Sequence, residues 1–227
     1  MLKSKSFYPL LVILFLVSCT KEKDFKLKKG DLLFQDLDCG PVCDAIELAT
    51  PGLDGARLSH VGVVSRVEKG NVYVIEAFVN GVEEVRFKDF ILRSSDKKGK
   101  PKVLVGRVNL DEKLLDKAIE KARSVIGAKY DTGFNFDISD NKYFCSELVY
   151  DAFRDENNKP IFELKPMTFK EPGTNKTKEV WLQYFRDIKI KAPEGGMGIS
   201  PGEISRSKYV NIVHAYGCPD GWSKCKY

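Results

Sequence analysis

Tyr143-Phe144-Cys145-Ser146-Glu147-Leu148-Val149-Tyr150 passes from polar to apolar residues in the manner of a helix start, with a cysteine in the first turn. Backbone N–H groups in that turn lack intrahelical acceptors, and the positive end of the helix dipole lies beside the sulfur. Both favour a reactive thiolate. The stretch therefore reads as a nucleophile placed at a helix N-terminus, where an ordinary buried cysteine would be only a small hydrophobe.

A thiolate needs a base, and the chain has two histidines, His60 and His214. His60 opens Ser59-His60-Val61-Gly62-Val63-Val64, a β-branched run that predicts a strand beginning at the histidine. A second strand, Val72 to Phe78, follows across Glu68-Lys69-Gly70. A three-residue loop ending in glycine pairs Val67 with Asn71 and hence Gly62 with Glu76. That register places His60 and Glu76 on one face as diagonal neighbours, roughly 7–8 Å apart at Cα, a gap that a glutamate side chain closes.

A turn and a short strand are expected within Gly30–Gln35, further strands over Val82–Phe87 and Pro101–Val108, and a short helix around Val42–Leu48. Leu114, Leu115, Ala118, Ile119, Ala122, Val125 and Ile126 form the apolar stripe of a core-packed helix within Leu110–Ile126, ended by Gly127. From Pro160 onward the chain reads as loop-rich. No internal repeat is found.

The N-terminus carries Lys3 and Lys5, an apolar run from Phe7 to Val17, then Ser18-Cys19. The run is shorter than the roughly 20 residues that span a bilayer, so it reads as an export leader. A small residue followed by cysteine resembles a bacterial lipoprotein signal, which implies cleavage after residue 18 and lipidation of Cys19. Acyl chains contribute about 0.8 kcal/mol per buried CH₂, enough in multiple acylation to hold the protein on a membrane. The expected organisation is a signal peptide over 1–18, a charged tether over 19–29, and one domain over 30–227. The expected location is the bacterial cell envelope, at the outer membrane or the periplasmic face.

Export implies an oxidising compartment. Cys39, Cys43, Cys218 and Cys225 remain once Cys19 and Cys145 are set aside, and four cysteines allow three pairings. Cys39 with Cys43 and Cys218 with Cys225 are the favoured pairs; the alternative, a four-cysteine zinc site, has no strong spacing in its support. The net charge of +5 comes from 37 basic and 32 acidic residues. With no basic run interleaved with aromatics, nucleic acid is not an expected partner. No cofactor or metal is expected, and a monomer is the economical assembly.

The Gly30-Asp31 strand, Ser59-His60-Val61-Gly62, Ile75-Glu76-Ala77, Gly127-Ala128-Lys129-Tyr130-Asp131 and the Cys145 motif occur in that order. Together they resemble the YiiX/YebB-like branch of the NlpC/P60 cysteine hydrolases, over roughly residues 28 to 215. The resemblance implies an α+β, circularly permuted papain-like fold, an antiparallel sheet packed against helices with the His strand preceding the Cys helix. It implies Cys145 as nucleophile, His60 as general base and Glu76 as the group orienting the imidazole. Many relatives have a second histidine at that third position; a carboxylate there supports the imidazolium directly.

Tyr143 and Tyr130 read two ways, as substrate-binding residues lining the cleft or as core aromatics. Glu147 reads as first-turn charge, Asp31 as a turn residue and His214 as satisfied structure. The implied activity is hydrolysis of an amide through a thioester. Its substrate is either a peptidoglycan stem peptide or an acylated, lipid-linked molecule. A non-catalytic envelope lipoprotein binding lipid or peptide in the same cleft is the alternative.

Overall fold

The computed structural model describes residues 25–171 and 173–225. Cys19 and the leader lie outside the described residues. In chain order the elements are β1 (Leu32–Gln35), α1 (Pro41–Ala49), β2 (His60–Glu68), β3 (Asn71–Phe78), β4 (Gly81–Arg86), α2 (Phe87–Ile91), β5 (Lys102–Val108) and α3 (Glu112–Ser124). They continue with β6 (Lys129–Tyr130), β7 (Lys142–Tyr143), α4 (Cys145–Ala152), β8 (Lys165–Pro166), α5 (Glu179–Asp187), β9 (Met197–Gly198), α6 (Pro201–Ser205) and β10 (Val210–Gly217). No helix among the described residues is long and apolar enough to cross a membrane.

Six strands form one antiparallel sheet in the order β10-β5-β1-β2-β3-β4. Alternation along the strands sends residues to two cores. Leu32, Phe34, Val61, Val63, Ile75 and Leu104 pack with Ala118 and Ala122 of α3 and Leu148 and Val149 of α4. Leu33, Val64, Val74, Val103 and Val105 pack with Phe90 of α2 on the opposite face. Asp111 caps α3 by accepting from Leu114 N at 2.8 Å.

The β2–β3 hairpin differs from the sequence reading at its turn. Glu68 pairs with Asn71 and Val67 with Val72, so the loop is the two residues Lys69-Gly70, both with positive φ. Two consecutive residues of that kind make the hairpin turn that matches strand twist. A β-bulge between Val64 and Arg66 then shifts the register by one, giving Val63 opposite Ile75. One step further along, Gly62 stands opposite Glu76, so the bulge restores the expected relation of His60 to Glu76.

The region from Pro160 contains more order than its loop-rich sequence suggests. β10 is an edge strand of the main sheet, and α5 packs on α1 through a third cluster containing Ala45, Phe169, Trp181 and Phe185. His214, on β10, stacks on Phe25 with ring centroids 4.3 Å apart. Asp31 is indeed a turn residue, accepting from Lys28 N and pairing with Arg107 through two bonds of 2.8 Å.

Both favoured cysteine pairs are disulfides, Cys39–Cys43 and Cys218–Cys225. The second closes a tail loop that is fastened elsewhere. Asp220 N donates to Asp36 Oδ2 at 2.7 Å, Arg57 N to Asp220 O at 2.8 Å and Ser223 N to Asp54 O at 2.9 Å. The tail loop around Asp220 and Ser223 thereby holds the segment that leads into His60.

Candidate active site

Cys145 begins α4 and is the free cysteine among the described residues, 6% exposed. His60 begins β2 and is 3% exposed; Glu76, on β3, has no exposed surface. His60 Nε2 donates to Glu76 Oε2 at 2.6 Å, and the Cys145 thiol lies near enough to bear on the imidazole's protonation. With Nε2 committed to Glu76, Nδ1 is the ring nitrogen left for the thiol. The three residues singled out in the sequence are thus brought together.

Burial alone would lower the His60 pKa, but the hydrogen bonds to Cys145 and then Glu76 outweigh it and raise it to about 9. Burial alone would raise the Glu76 carboxyl; His60, and after it Arg93, hold it below its usual value. Opposite charges in a site screened from water stabilise each other strongly. At neutral pH the proton therefore resides on the imidazole.

Arg93, two residues beyond α2, donates through Nη2 to Glu76 Oε1. Its guanidinium lies 4.4 Å from the Phe78 ring and 5.2 Å from the Phe90 ring. The sequence reading missed it, because nothing local marks an arginine as the partner of a glutamate on a different strand.

A cavity of about 430 Å³ opens beside Cys145. Its walls are mostly apolar, built from Ile46 on α1, Tyr130, Phe134, Met167, Phe169 and Trp181 on α5. Trp181, Tyr184, Phe185 and Ile188 recur at helical spacing, a signal in the sequence that marks α5.

The two tyrosines separate. Tyr130 lines the cavity, and burial and then the nearby Cys145 push its phenol well above the ordinary value. Tyr143 is in the core, where its hydroxyl donates to Asp151 Oδ2 at 3.1 Å; it does not line the cleft. Pairing of β6 with β7 sets Tyr130 directly beside Tyr143, which brings it to the head of α4.

Glu147 is also not a solvated first-turn charge. It is fully buried and accepts from Phe144 N at 3.3 Å and Asp137 N at 3.1 Å. Burial raises its pKa to about 8, which favours the neutral acid near pH 7.

Asp36, Asp38 and Asp220 converge closely enough to suggest a cation site. The Lys102 ammonium already lies among them, 2.9 Å from Asp36, 2.8 Å from Asp38 and 3.7 Å from Asp220. These residues join β1, β5 and the tail loop.

The model of the permuted papain-like amidase enzymes, YaeF/YiiX, C92 family, matches residues 26–214. The chain belongs to this family. A C92 amidase is an amide-hydrolysing cysteine hydrolase with a permuted papain-like fold, and the antiparallel sheet with its His strand before its Cys helix agrees. The crystal structure of the metalloprotein yiiX from Escherichia coli O157:H7 superposes with a TM-score of 0.66 at 23% identity, covering 84% of this chain and 98% of that one. At that identity the likeness establishes the fold alone. No curated protein matches the chain in sequence.

Proposed function

We propose that this C92 amidase hydrolyses an amide whose acyl part is apolar, using Cys145 as nucleophile, His60 as acid and base, and Glu76 to orient the imidazole. The observation that carries the reading is His60, buried beside Glu76 and Cys145, the free thiol among the described residues, with that thiol in the wall of a mostly apolar cavity. Lys165, Glu203 and several hydroxyls also line the cavity, but Phe134, Met167, Phe169 and Trp181 form much of its surface, against which the charged and polar groups of a peptidoglycan stem peptide would be desolvated. An acyl chain matches those walls.

The reacting form is the imidazolium–thiolate pair of His60 and Cys145. The thiolate attacks the amide carbon, forming the C–S bond and a tetrahedral oxyanion. First-turn N–H groups of α4, beginning with that of Cys145, face the developing charge, and one such donor lowers the barrier by about 3 kcal/mol. The imidazolium gives its proton to the leaving nitrogen as the C–N bond breaks, which leaves a thioester and neutral His60. Water then attacks the thioester, His60 takes its proton, and the carboxylic acid departs as the ion pair is restored. Glu76 holds Nδ1 toward the sulfur throughout.

The leader and Ser18-Cys19 support an envelope location with a lipid anchor at Cys19. Such an anchor would keep the cavity close to acylated substrates.

The test is amine release from a panel of N-acyl amides of increasing chain length, run beside muropeptides. Turnover of the N-acyl amides that is abolished in a folded Cys145→Ala variant is expected. Turnover of muropeptides alone would remove the apolar-acyl assignment, and undiminished turnover by Cys145→Ala would remove the nucleophile.

A further inference from the structure

We infer that Arg93 is a positioning residue for the Cys145–His60 pair, acting through Glu76 by fixing the carboxylate oxygen that His60 leaves free. The inference rests on the triad reading above and extends it to a fourth residue.

Glu76 has no contact with solvent. A carboxylate in that state costs several kcal/mol unless its oxygens are paired. His60 takes Oε2 and Arg93 takes Oε1, so each oxygen has its own cationic partner and the carboxylate is fixed against rotation about its last bond. His60 and Arg93 are the charged groups that bear on it. Charge therefore alternates from imidazolium to carboxylate to guanidinium, and Arg93, 26% exposed, carries the series out to solvent.

The two cationic partners also share one bed. Phe78 lies 5.1 Å from the His60 ring and Phe90 5.8 Å, and the Arg93 guanidinium covers the same two rings. Phe90 approaches this closely because position 62 is glycine: a Cβ there would come within 2.9 Å of the Phe90 ring. Gln35, opposite His60 in the β1–β2 register, donates to Phe90 O at 2.8 Å and holds the bed in place. Next to Arg93, the Ser94 hydroxyl bonds Asp36 O at 2.6 Å and Lys102 O at 3.0 Å, anchoring the backbone that presents the guanidinium. An ordinary surface ion pair has none of these fixtures and contributes little.

The experiment is the rate of Cys145 alkylation by iodoacetamide at pH 6 in the full chain, read at the Cys145 peptide by mass spectrometry. It uses wild type, His60→Ala, Glu76→Gln, Arg93→Gln and the Glu76→Gln/Arg93→Gln double variant. Arg93→Gln is expected to slow alkylation about tenfold, equivalent to one pH unit in thiolate formation. Because Arg93 acts through Glu76, the double variant should be no slower than Glu76→Gln alone. Arg93→Met, which keeps an apolar stem between Phe78 and Phe90, carries the same expectation and decides the matter if Arg93→Gln does not fold. A wild-type rate in the folded Arg93 variant overturns the inference, as does a double variant slowed by the product of the single effects. With His60→Ala slow, either result removes Arg93 alone; a wild-type rate in His60→Ala removes the ion pair itself and Arg93 with it.

Discussion

Replacing Glu76 by Gln nearly keeps the side chain's volume while removing its charge and turning one of its two acceptor oxygens into a donor, so it reads what the carboxylate does for His60. The bond it weakens is 2.6 Å long and joins two charged groups in a site closed to solvent. Hydrogen bonds to charged groups contribute roughly 1.5–3 kcal/mol, which at the transition state corresponds to a fall of roughly 10- to 150-fold in kcat/KM. That is a smaller loss than removing Cys145 or His60, because the nucleophile and base remain. Stability should follow pH in a defined way. The His60 pKa, raised from 6.5 to about 9, contributes stability that is complete below 6.5 and lost as pH rises through 9; its full size is on the order of 3 kcal/mol. Glu76 acts oppositely: its lowered pKa contributes stability present above its ordinary value near 4.5 and lost on acidification. The gap in melting temperature between wild type and Glu76→Gln should therefore be widest between about pH 5 and 6.5 and narrow above pH 9. Thermal melts across pH, run beside kcat/KM, measure both. A variant within twofold of wild type in kcat/KM, or a melting gap independent of pH, would mean that the Glu76 carboxylate does not support a charged His60.

Trp181→Ala should widen the cavity and move the preferred acyl chain to greater length, at a stability cost of about 3–5 kcal/mol; kcat/KM across a chain-length series reads it, and an unchanged optimum would place the acyl group elsewhere. Replacing Cys218 and Cys225 by Ser opens a loop of sequence separation 7, worth ~2.4 kcal/mol in chain entropy, and should loosen the tail while leaving catalysis largely intact. Amide exchange over residues 53–59 checks this, and loss of activity without faster exchange there would mean that the tail belongs to the site. The mature protein should begin at an acylated Cys19, and Cys19→Ser should remain unlipidated; an unmodified N-terminus elsewhere by mass spectrometry would contradict the anchor.

Much of this arrangement is legible in the sequence because the informative features are local. A cysteine at a polar-to-apolar boundary, a histidine opening a β-branched run and a glutamate one hairpin away are each fixed by short-range periodicity. The hairpin shows the limit of such reasoning: Lys69-Gly70 makes a two-residue turn, and the bulge near Ser65 that corrects the register has no sequence marker. Arg93 was invisible because its partner Glu76 is reached only when α2 folds back onto β3. Glu147 was misread because its burial comes from the Asp137 loop closing over the head of α4. The cavity depends on α5 meeting α1 across more than a hundred residues, although the spacing of Trp181, Tyr184, Phe185 and Ile188 announces the helix itself. β10 was passed over for a similar reason: alternation through Val210, Ile212 and His214 is short, and its pairing with β5 is a long-range event.

The central claim is that His60 is a buried imidazolium held between Cys145 and Glu76. Proton and nitrogen NMR of the histidine rings from pH 5 to 10 tests it directly, and with two histidines in the chain a His214 variant assigns the signals. His60 should be protonated at pH 7 and titrate near 9, and Cys145→Ala, which removes the larger of its two supporting partners, should bring that midpoint down. A neutral His60 at pH 7 in the folded wild-type protein, or a midpoint that ignores Cys145→Ala, would contradict the account.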